Sequence, residues 1–266
     1  MNILLNGICG HMGAEVAALA ETGVRGCVLA AGIDPNASGD YPVPVYRNFD
    51  EITSLSGIDC IIDFSHHSCA PQLLELAVRG GIPAVVATTG QTEEELAAIY
   101  SAAAHIPVFF SANMSLGVAL LVELAKTAAL AMPEAEIEIV EKHHNRKIDA
   151  PSGTALMIAN AICDVRPDAY AVTGRCGHGK RVPEEIGIHA IRMGNIVGEH
   201  EVIIGTQNQT ITLKHEAHSR ALFAEGAIAA AAFIVDKEPG LYDMKSLVGG
   251  TKKNTATVEP AEREKR

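Results

Sequence analysis

The sequence predicts an α/β protein, a doubly wound parallel Rossmann-like sheet with a second α+β domain. Three observations carry the prediction. Short apolar runs alternate with helical periodicity over residues 2–114, the order that builds a parallel sheet with helices on both faces. A glycine turn, Gly7-Ile-Cys-Gly10-His-Met-Gly13, links the first apolar run to the first helical pattern. Past residue 136 the period changes to the apolar/polar alternation of half-buried strands.

Taken in order, Asn2-Ile-Leu-Leu-Asn6 is a strand, and a helix continues from the glycine turn through Leu19. Gly7 permits the tight turn, Gly10 lets backbone N–H groups approach a pyrophosphate, and Gly13 allows close helix–strand packing. The spacing is GxxGxxG rather than GxGxxG, so its weight comes from the second strand and the residue that ends it. Residues 27–33 form that second apolar strand, ending at Asp34. An acidic side chain about 20 residues past the glycine loop is placed to accept from ribose hydroxyls. Residues 36–49 read as loop. A third strand over 59–65, a helix over 71–79 and a Gly80-Gly81 stop come next. A fourth strand opens 84–90, a helix covers 93–104, and a fifth strand covers 107–114. Phe64-Ser65, Thr88-Thr89 and Ser111-Ala112-Asn113 thus share the C-terminal edge of the sheet, where such folds bind ligands and a nicotinamide would be met.

The second half begins with a helix over 116–132, stopped by Pro133. Glu136-Ile-Glu-Ile139 starts a strand, and a helix runs from the 152–155 region to Asp164. Residues 166–185 read as loop, and 186–192, 199–204 and 210–214 as strands of an antiparallel meander, the last two joined by a hairpin. An alanine-rich helix over 223–235 returns to the first domain, and residues from 251 have the composition of disorder. The expected domains are 1–113 with about 222–250 for a dinucleotide, 114–221 for substrate and oligomerisation, and a disordered tail over 251–266.

The densest chemistry lies between these halves, in Glu141-Lys-His-His-Asn-Arg-Lys-Ile-Asp-Ala-Pro-Ser-Gly-Thr-Ala155. Two adjacent imidazoles exchange protons near neutral pH, Lys147 is a proton donor, and Arg146 adds positive charge. Asp149 and Ser152 are the cap candidates of the next helix, with Pro151 suited to its first turn. Free N–H groups and the positive dipole end at Gly153-Thr154 attract a carboxylate. The assembly suits chemistry on a small dianion.

Composition limits the partners. A net charge of −11 on 266 residues argues against nucleic acid or an anionic membrane surface, so an anionic ligand needs local donors. No apolar run approaches the roughly 20 residues of a membrane span, and residues 1–7 lack the basic region of a signal peptide. Six cysteines without metal-ligand or CxxC spacing read as free thiols of a cytoplasmic protein. His66-His67 has no third ligand at a useful spacing, so no metal is expected; His200, His215 and His218 read as satisfied surface imidazoles.

These motifs identify a resemblance. Gly7-x-x-Gly-x-Met-Gly13, Asp63-Phe-Ser65, Thr88-Thr-Gly90, Ala112-Asn-Met-Ser-x-Gly-Val118, the Glu141–Ala155 stretch, Arg192-x-Gly-x-Ile-Val-Gly-Glu-His200 and Gly240-Leu-Tyr-Asp-Met244 together resemble bacterial 4-hydroxy-tetrahydrodipicolinate reductase, formerly dihydrodipicolinate reductase. The resemblance implies NAD(P)H-dependent reduction of 4-hydroxy-tetrahydrodipicolinate, a cyclic dicarboxylate, to tetrahydrodipicolinate in lysine and diaminopimelate biosynthesis. It puts proton exchange on His143 and Lys147, and substrate carboxylates on His144, Gly153 and Thr154. It lays the cofactor against Gly7, Ile8, Cys9, Gly10, His11, Met12, Asp34, Ala87, Thr88, Thr89, Ser111, Ala112, Asn113 and Met114. It also implies a homotetramer, with the nucleotide domain made from both ends of the chain. Three positions depart from the family pattern: His11 replaces a basic residue, Ala87 replaces a glycine, and Pro35 stands where members favouring a 2′-phosphate often carry Arg. NADH is therefore expected to serve at least as well as NADPH. Two competing readings are a related dehydrogenase acting on an amino or oxo diacid, and a nucleotide-sensing module without catalysis.

Overall fold

The computed structural model describes residues Met1–Gly249; the expected disordered tail over 251–266 lies outside the described residues. The chain divides into two compact units, one of Met1–Ala112 with the chain from Ala227, the other of Asn113–Gly226.

Among the described residues the first unit holds seven strands, β1 (Asn2–Asn6), β2 (Val28–Ile33), β3 (Val45–Tyr46), β4 (Cys60–Asp63), β5 (Ala84–Val86), β6 (Pro107–Phe110) and, from the returning chain, β12 (Gly240–Tyr242). They pair in parallel in the order β12-β6-β5-β4-β1-β2-β3. The strand order reverses beside β1, the arrangement of a doubly wound sheet. Ile3, Leu5, Ile61, Ile62, Val85 and Phe109 are fully buried, which is why these strands read as continuous apolar runs. Helices α1 (His11–Glu21), α2 (Ala70–Gly80) and α3 (Glu93–Ala103) connect them. α2 and α3 bury Leu73, Leu74, Leu76, Ala77, Ile99, Ala102 and Ala103 in one cluster with the β-strand side chains Leu4, Ile61, Ala84, Val86 and Val108. Truncating any of these leucines or isoleucines to alanine would cost about 2–5 kcal/mol. α3 starts with a reciprocal capping box, Thr92 with Glu95.

β3 lies inside the stretch read as loop. Two residues preceded by Pro42 and Pro44 give no periodic signal, but an edge strand tolerates proline. Its pairing is held by Gly32 N–H on the Pro44 carbonyl and Asp34 N–H on the Tyr46 carbonyl, each at 2.9 Å.

The second unit places α4 (Leu116–Ala131) and α5 (Gly153–Cys163) against β7 (Glu136–His143), β8 (Tyr170–Thr173), β9 (Glu185–Arg192), β10 (Gly198–Gly205) and β11 (Thr210–Ala217). Helix α6 (Ala221–Ile234) begins here and continues into the first unit, and α7 (Met244–Gly249) ends the described chain. The sheet order is β11-β10-β7-β9-β8. Only β7, β10 and β11 pair antiparallel; β7–β9 and β8–β9 are parallel, correcting the expected meander. Between β7 and β9 the chain passes through α5, the kind of crossover that returns a strand in the same direction. β8 sits within the stretch read as loop, another correction; it is short and mostly exposed, so burial left no pattern.

Alternation makes the two faces of this sheet unlike. Ile137, Ile139, Ile186, Ile188, Val202 and Ile204 pack on Leu121, Ala125 and Ala129 of α4 and on Ala155, Ile158, Ala159 and Ile162 of α5. The opposite face carries Glu138, Lys142, Glu199, Glu201 and Lys214, and cross-strand ion pairs link the last four, Lys142–Glu199 at 3.0 Å among them.

Candidate active site

On β7 the core-facing positions run Ile137, Ile139, Glu141, His143. The strand's apolar face thus becomes ionisable toward its end, and both groups remain buried, Glu141 at 0% exposure and His143 at 9%. Register extends the change sideways. Glu141 pairs with His200 of β10, and His200 pairs with His215 of β11, so all three side chains share one face. The reading of His200 and His215 as surface imidazoles is corrected here: His200 is 4% exposed, and both Nδ1 atoms are buried with no partner among the described residues. Nothing within either strand reveals this, because the neighbour across the sheet decides it.

Glu141 is the hub. Its Oε2 accepts from His143 Nδ1 at 2.6 Å and Arg192 Nη1 at 2.8 Å. Its Oε1 accepts from Arg192 Nη2 at 2.6 Å and Ser152 N–H at 3.0 Å. Burial pushes this carboxyl up, but the bonds from Arg192, His143 and Ser152 outweigh it and hold it below the usual carboxylate range. An ionised carboxylate only accepts, so His143 Nδ1 carries a proton, and in the neutral form of the ring Nε2 is the nitrogen left as acceptor. The His143 ring stands edge-on to His200, centroids 5.2 Å apart. Gly198 runs beside it; a Cβ there would come within 3.1 Å of Nε2.

Ser152 is the N-cap of α5, its Oγ accepting from Ala155 N–H, so it is the cap of the two candidates. Asp149 instead pairs with Lys147 Nζ at 2.9 Å, and Pro151 precedes the cap rather than entering the first turn. Ser152 Oγ also meets His200 Nε2 at 3.1 Å. The first N–H groups of α5, on Gly153 and Thr154, have no intrahelical acceptors. Asn113 Nδ2 donates to Thr154 Oγ1 at 3.1 Å, while its Oδ1 accepts from Ser115 N–H. Asn113, expected against the cofactor, therefore bonds to a side chain expected against the substrate. His143, Thr154, Asn113, Gly198, His200 and His215 are among the residues lining a cavity of about 60 Å³.

Positive charge collects around His144, the neighbour of His143 in the chain. Burial, then Arg146 and Arg220, hold His144 below its ordinary value, with His143 and Lys147 adding to the effect. A neutral His144 is a hydrogen-bond donor and Arg146, Lys147 and Arg220 are cations, a set matched to carboxylates despite the chain's overall negative charge. Sequence reasoning missed Arg192, Arg220 and the role of Glu141. Each is brought to the site by strand pairing or by a turn, with no spacing signal.

In the first unit, Gly7 has φ +84°, and a Cβ on it would lie 2.8 Å from the Phe64 carbonyl oxygen. A Cβ on Gly13 would overlap the Gly7 carbonyl, so this turn requires glycine at both positions. Gly10 is the N-cap of α1 and supplies no side-chain acceptor, which leaves the N–H groups of His11, Met12 and Gly13 for a ligand. Asp34, at the end of β2, is buried and accepts from Cys9 N–H at 3.0 Å and Asn36 N–H at 2.9 Å. Cys9 Sγ lies 3.1 Å from the Tyr41 hydroxyl, and Ile8 packs on Gly32. A glycine turn, an uncapped helix start and a carboxylate at the end of the second strand fit a dinucleotide. At the sheet edge Ala87 is half-buried, Thr88 is buried with its hydroxyl accepting from Gln91 Nε2 at 2.8 Å, and Thr89 is exposed. Ser111 and Ala112 follow β6, and Met114 is buried in the second unit. Asp63 at the end of β4 has no role in the sequence reading beyond its place in a motif. It is buried, burial raises its carboxyl against bonds from Ser65 and Asn6, and its Oδ2 has no partner among the described residues.

Family models of dihydrodipicolinate reductase match residues 1–114 for its N-terminal part and 117–248 for its C-terminal part. A protein of Caldanaerobacter subterraneus subsp. tengcongensis called 4-hydroxy-tetrahydrodipicolinate reductase is 46% identical, covering 93% of this chain and 98% of its own. A protein of the same description from Alkaliphilus oremlandii is 43% identical, covering 93% and 98%. Among solved structures, a dipicolinate-bound dihydrodipicolinate reductase from Paenisporosarcina sp. TG-14 superposes with a TM-score of 0.77 at 25% identity, covering 91% of this chain and 97% of that one.

Proposed function

The chain belongs to the dihydrodipicolinate reductase family, and from that premise we propose how its residues carry out the pyridine-nucleotide-dependent reduction of 4-hydroxy-tetrahydrodipicolinate in lysine and diaminopimelate biosynthesis. The observation that carries the assignment is the meeting, at one cavity wall, of a carboxylate-backed imidazole and the start of α5.

The reaction removes the ring hydroxyl as water and adds one hydride and one proton. Bound NAD(P)H supplies the hydride. The chain's residues supply the rest. The Gly153 and Thr154 amides, the Thr154 hydroxyl and His144 bind the two carboxylates, with Arg146 and Arg220 adding charge. Bound this way, the dicarboxylate is oriented before any bond changes. His143 Nε2, turned to the cavity with its far nitrogen held by Glu141, exchanges a proton with the substrate. Lys147, held by Asp149, delivers the proton that completes the reduction.

The dinucleotide belongs to the first unit, against Gly7 to Met12, Asp34, Ala87 to Thr89 and the residues after β6. Asp34 accepts from ribose hydroxyls and repels a 2′-phosphate, so NADH serves at least as well as NADPH. One observation moderates this preference. Arg47 folds back so that Nη2 donates to the Ala37 carbonyl at 3.2 Å, and it stands one residue past Tyr46, whose carbonyl pairs with Asp34. We assign the protein to the cytoplasm, supported by six free cysteines, and to a homotetramer, supported by the family resemblance; light scattering on the purified protein tests the assembly. The central test is consumption of NADH or NADPH on adding freshly generated 4-hydroxy-tetrahydrodipicolinate. Oxidation with an amino or oxo diacid alone would favour the related-dehydrogenase reading, and cofactor binding without turnover would favour a sensor.

A further inference from the structure

We propose that Glu141 is a positioning residue that sets the tautomer of His143 and ties that imidazole to the substrate-binding start of α5. The inference rests on the assignment of His143 as a proton-exchanging group and adds what makes it one. Glu141 is completely buried, and each of its oxygens receives two donors: His143 Nδ1 and Arg192 Nη1 on Oε2, Arg192 Nη2 and Ser152 N–H on Oε1. Three of these donors cannot change. A guanidinium keeps all its protons and a peptide N–H has only one role, whereas an imidazole can move its proton from one nitrogen to the other. His143 is thus the only adjustable member of the cluster.

The consequence is specific. With the carboxylate in place, Nδ1 must donate, and in the neutral ring Nε2 faces the Gly198 side of the cavity as the acceptor. Through its other oxygen the same carboxylate holds the backbone of Ser152, whose Oγ caps α5. One side chain therefore fixes both the imidazole and the helix start. Arg192 keeps it in register by a two-armed fork, and its Nη2 also donates to the Asp149 carbonyl at 2.7 Å, at the end of the connecting loop.

Glu141→Gln separates positioning from simple structural support, because it keeps the shape and replaces one acceptor oxygen with an NH₂ donor. Turned toward Ser152 N–H and Arg192 Nη2, the NH₂ would oppose two fixed donors. Turned toward His143 and Arg192 Nη1, it opposes only one fixed donor, and the imidazole accommodates it by moving its proton to Nε2. The variant should therefore hold His143 as the Nε2–H tautomer, with the wrong nitrogen protonated at the cavity. Spectra of ¹⁵N-histidine-labelled protein, with His143 assigned by its loss in His143→Gln, read this directly without substrate. The parent is expected to show Nδ1–H in the neutral ring, and Glu141→Gln to show Nε2–H. kcat should fall by about 10²-fold or more, with NADH affinity unchanged and the KM of the dicarboxylate moving far less than kcat. A parent carrying Nε2–H, or a Gln variant retaining Nδ1–H, overturns the proposal. If the variant does not fold, the parent spectrum alone still decides. If the parent spectrum is as expected but no NAD(P)H is oxidised with the dicarboxylate, the reaction assignment fails and the tautomer assignment stands.

Discussion

Acid should loosen the second unit through His200, by an amount set by where the ring lies. Burial, then the proximity of His143, pushes its pKa from 6.5 down to about 4. His215 and Lys147 act in the same direction, and Glu141 opposes them. Above 6.5 the ring is neutral whether the chain is folded or not, and it contributes no pH dependence. As pH falls through 6.5 the unfolded chain takes a proton that the native ring refuses until about 4, so stability is lost across that window. At about 1.4 kcal/mol per pKa unit, the loss approaches 3 kcal/mol. His200→Gln keeps an N–H for Ser152 Oγ and removes the titration. Urea unfolding of both proteins at a series of pH values gives the comparison. The parent should lose roughly 3 kcal/mol more than the variant between pH 6.5 and pH 4. Parallel curves would mean that the ring titrates normally and that its burial does not exclude the charged form.

Three further outcomes are expected at the two sites. Lys147→Ala should lower kcat by about 10²–10⁴ while unfolding stability changes by less than about 1 kcal/mol, because its partner Asp149 is largely exposed; steady-state kinetics with urea titration checks both. Thr154→Val removes the hydroxyl that meets Asn113 and faces the cavity, and should raise the KM of the dicarboxylate without changing NADH affinity; fluorescence titration of NADH and initial rates separate the two. Pro35→Arg should shift preference toward NADPH, and Arg47→Ala should weaken NADPH but not NADH; equilibrium titration with both cofactors in both variants measures it.

Much of the fold was legible because buried parallel strands must be continuously apolar and the crossover helices must be amphipathic. Ile61-Ile62 and Val85-Val86 announce themselves, and Gly7 and Gly13 announce the turn they alone permit. β3 and β12 did not, since strands of two and three residues carry no period. Alternation in the second half showed which residues share a face but not which strand lies alongside, so parallel pairing of β7 with β9 was missed. The site divided the same way. His143, Lys147 and Thr154 lie within one contiguous motif, whereas Glu141 gains its meaning from Arg192, 51 positions away, and His200 from a register that no local pattern encodes.

The row Glu141–His200–His215 makes the buried end of this sheet a gauge of strand alignment. Sliding β10 by one residue against β7 would bring the opposite face round and set Glu199 or Glu201 against the helices. Sliding it by two would leave the apolar packing nearly intact but set Val202 or Gly198 opposite Glu141. The second error is the insidious one, since a chain folded that way would remain soluble and helical. It would break the row and carry His200 away from Ser152. The His200–Ser152 contact in a refolded preparation therefore marks the correctly aligned sheet, a distinction that circular dichroism and solubility would both overlook.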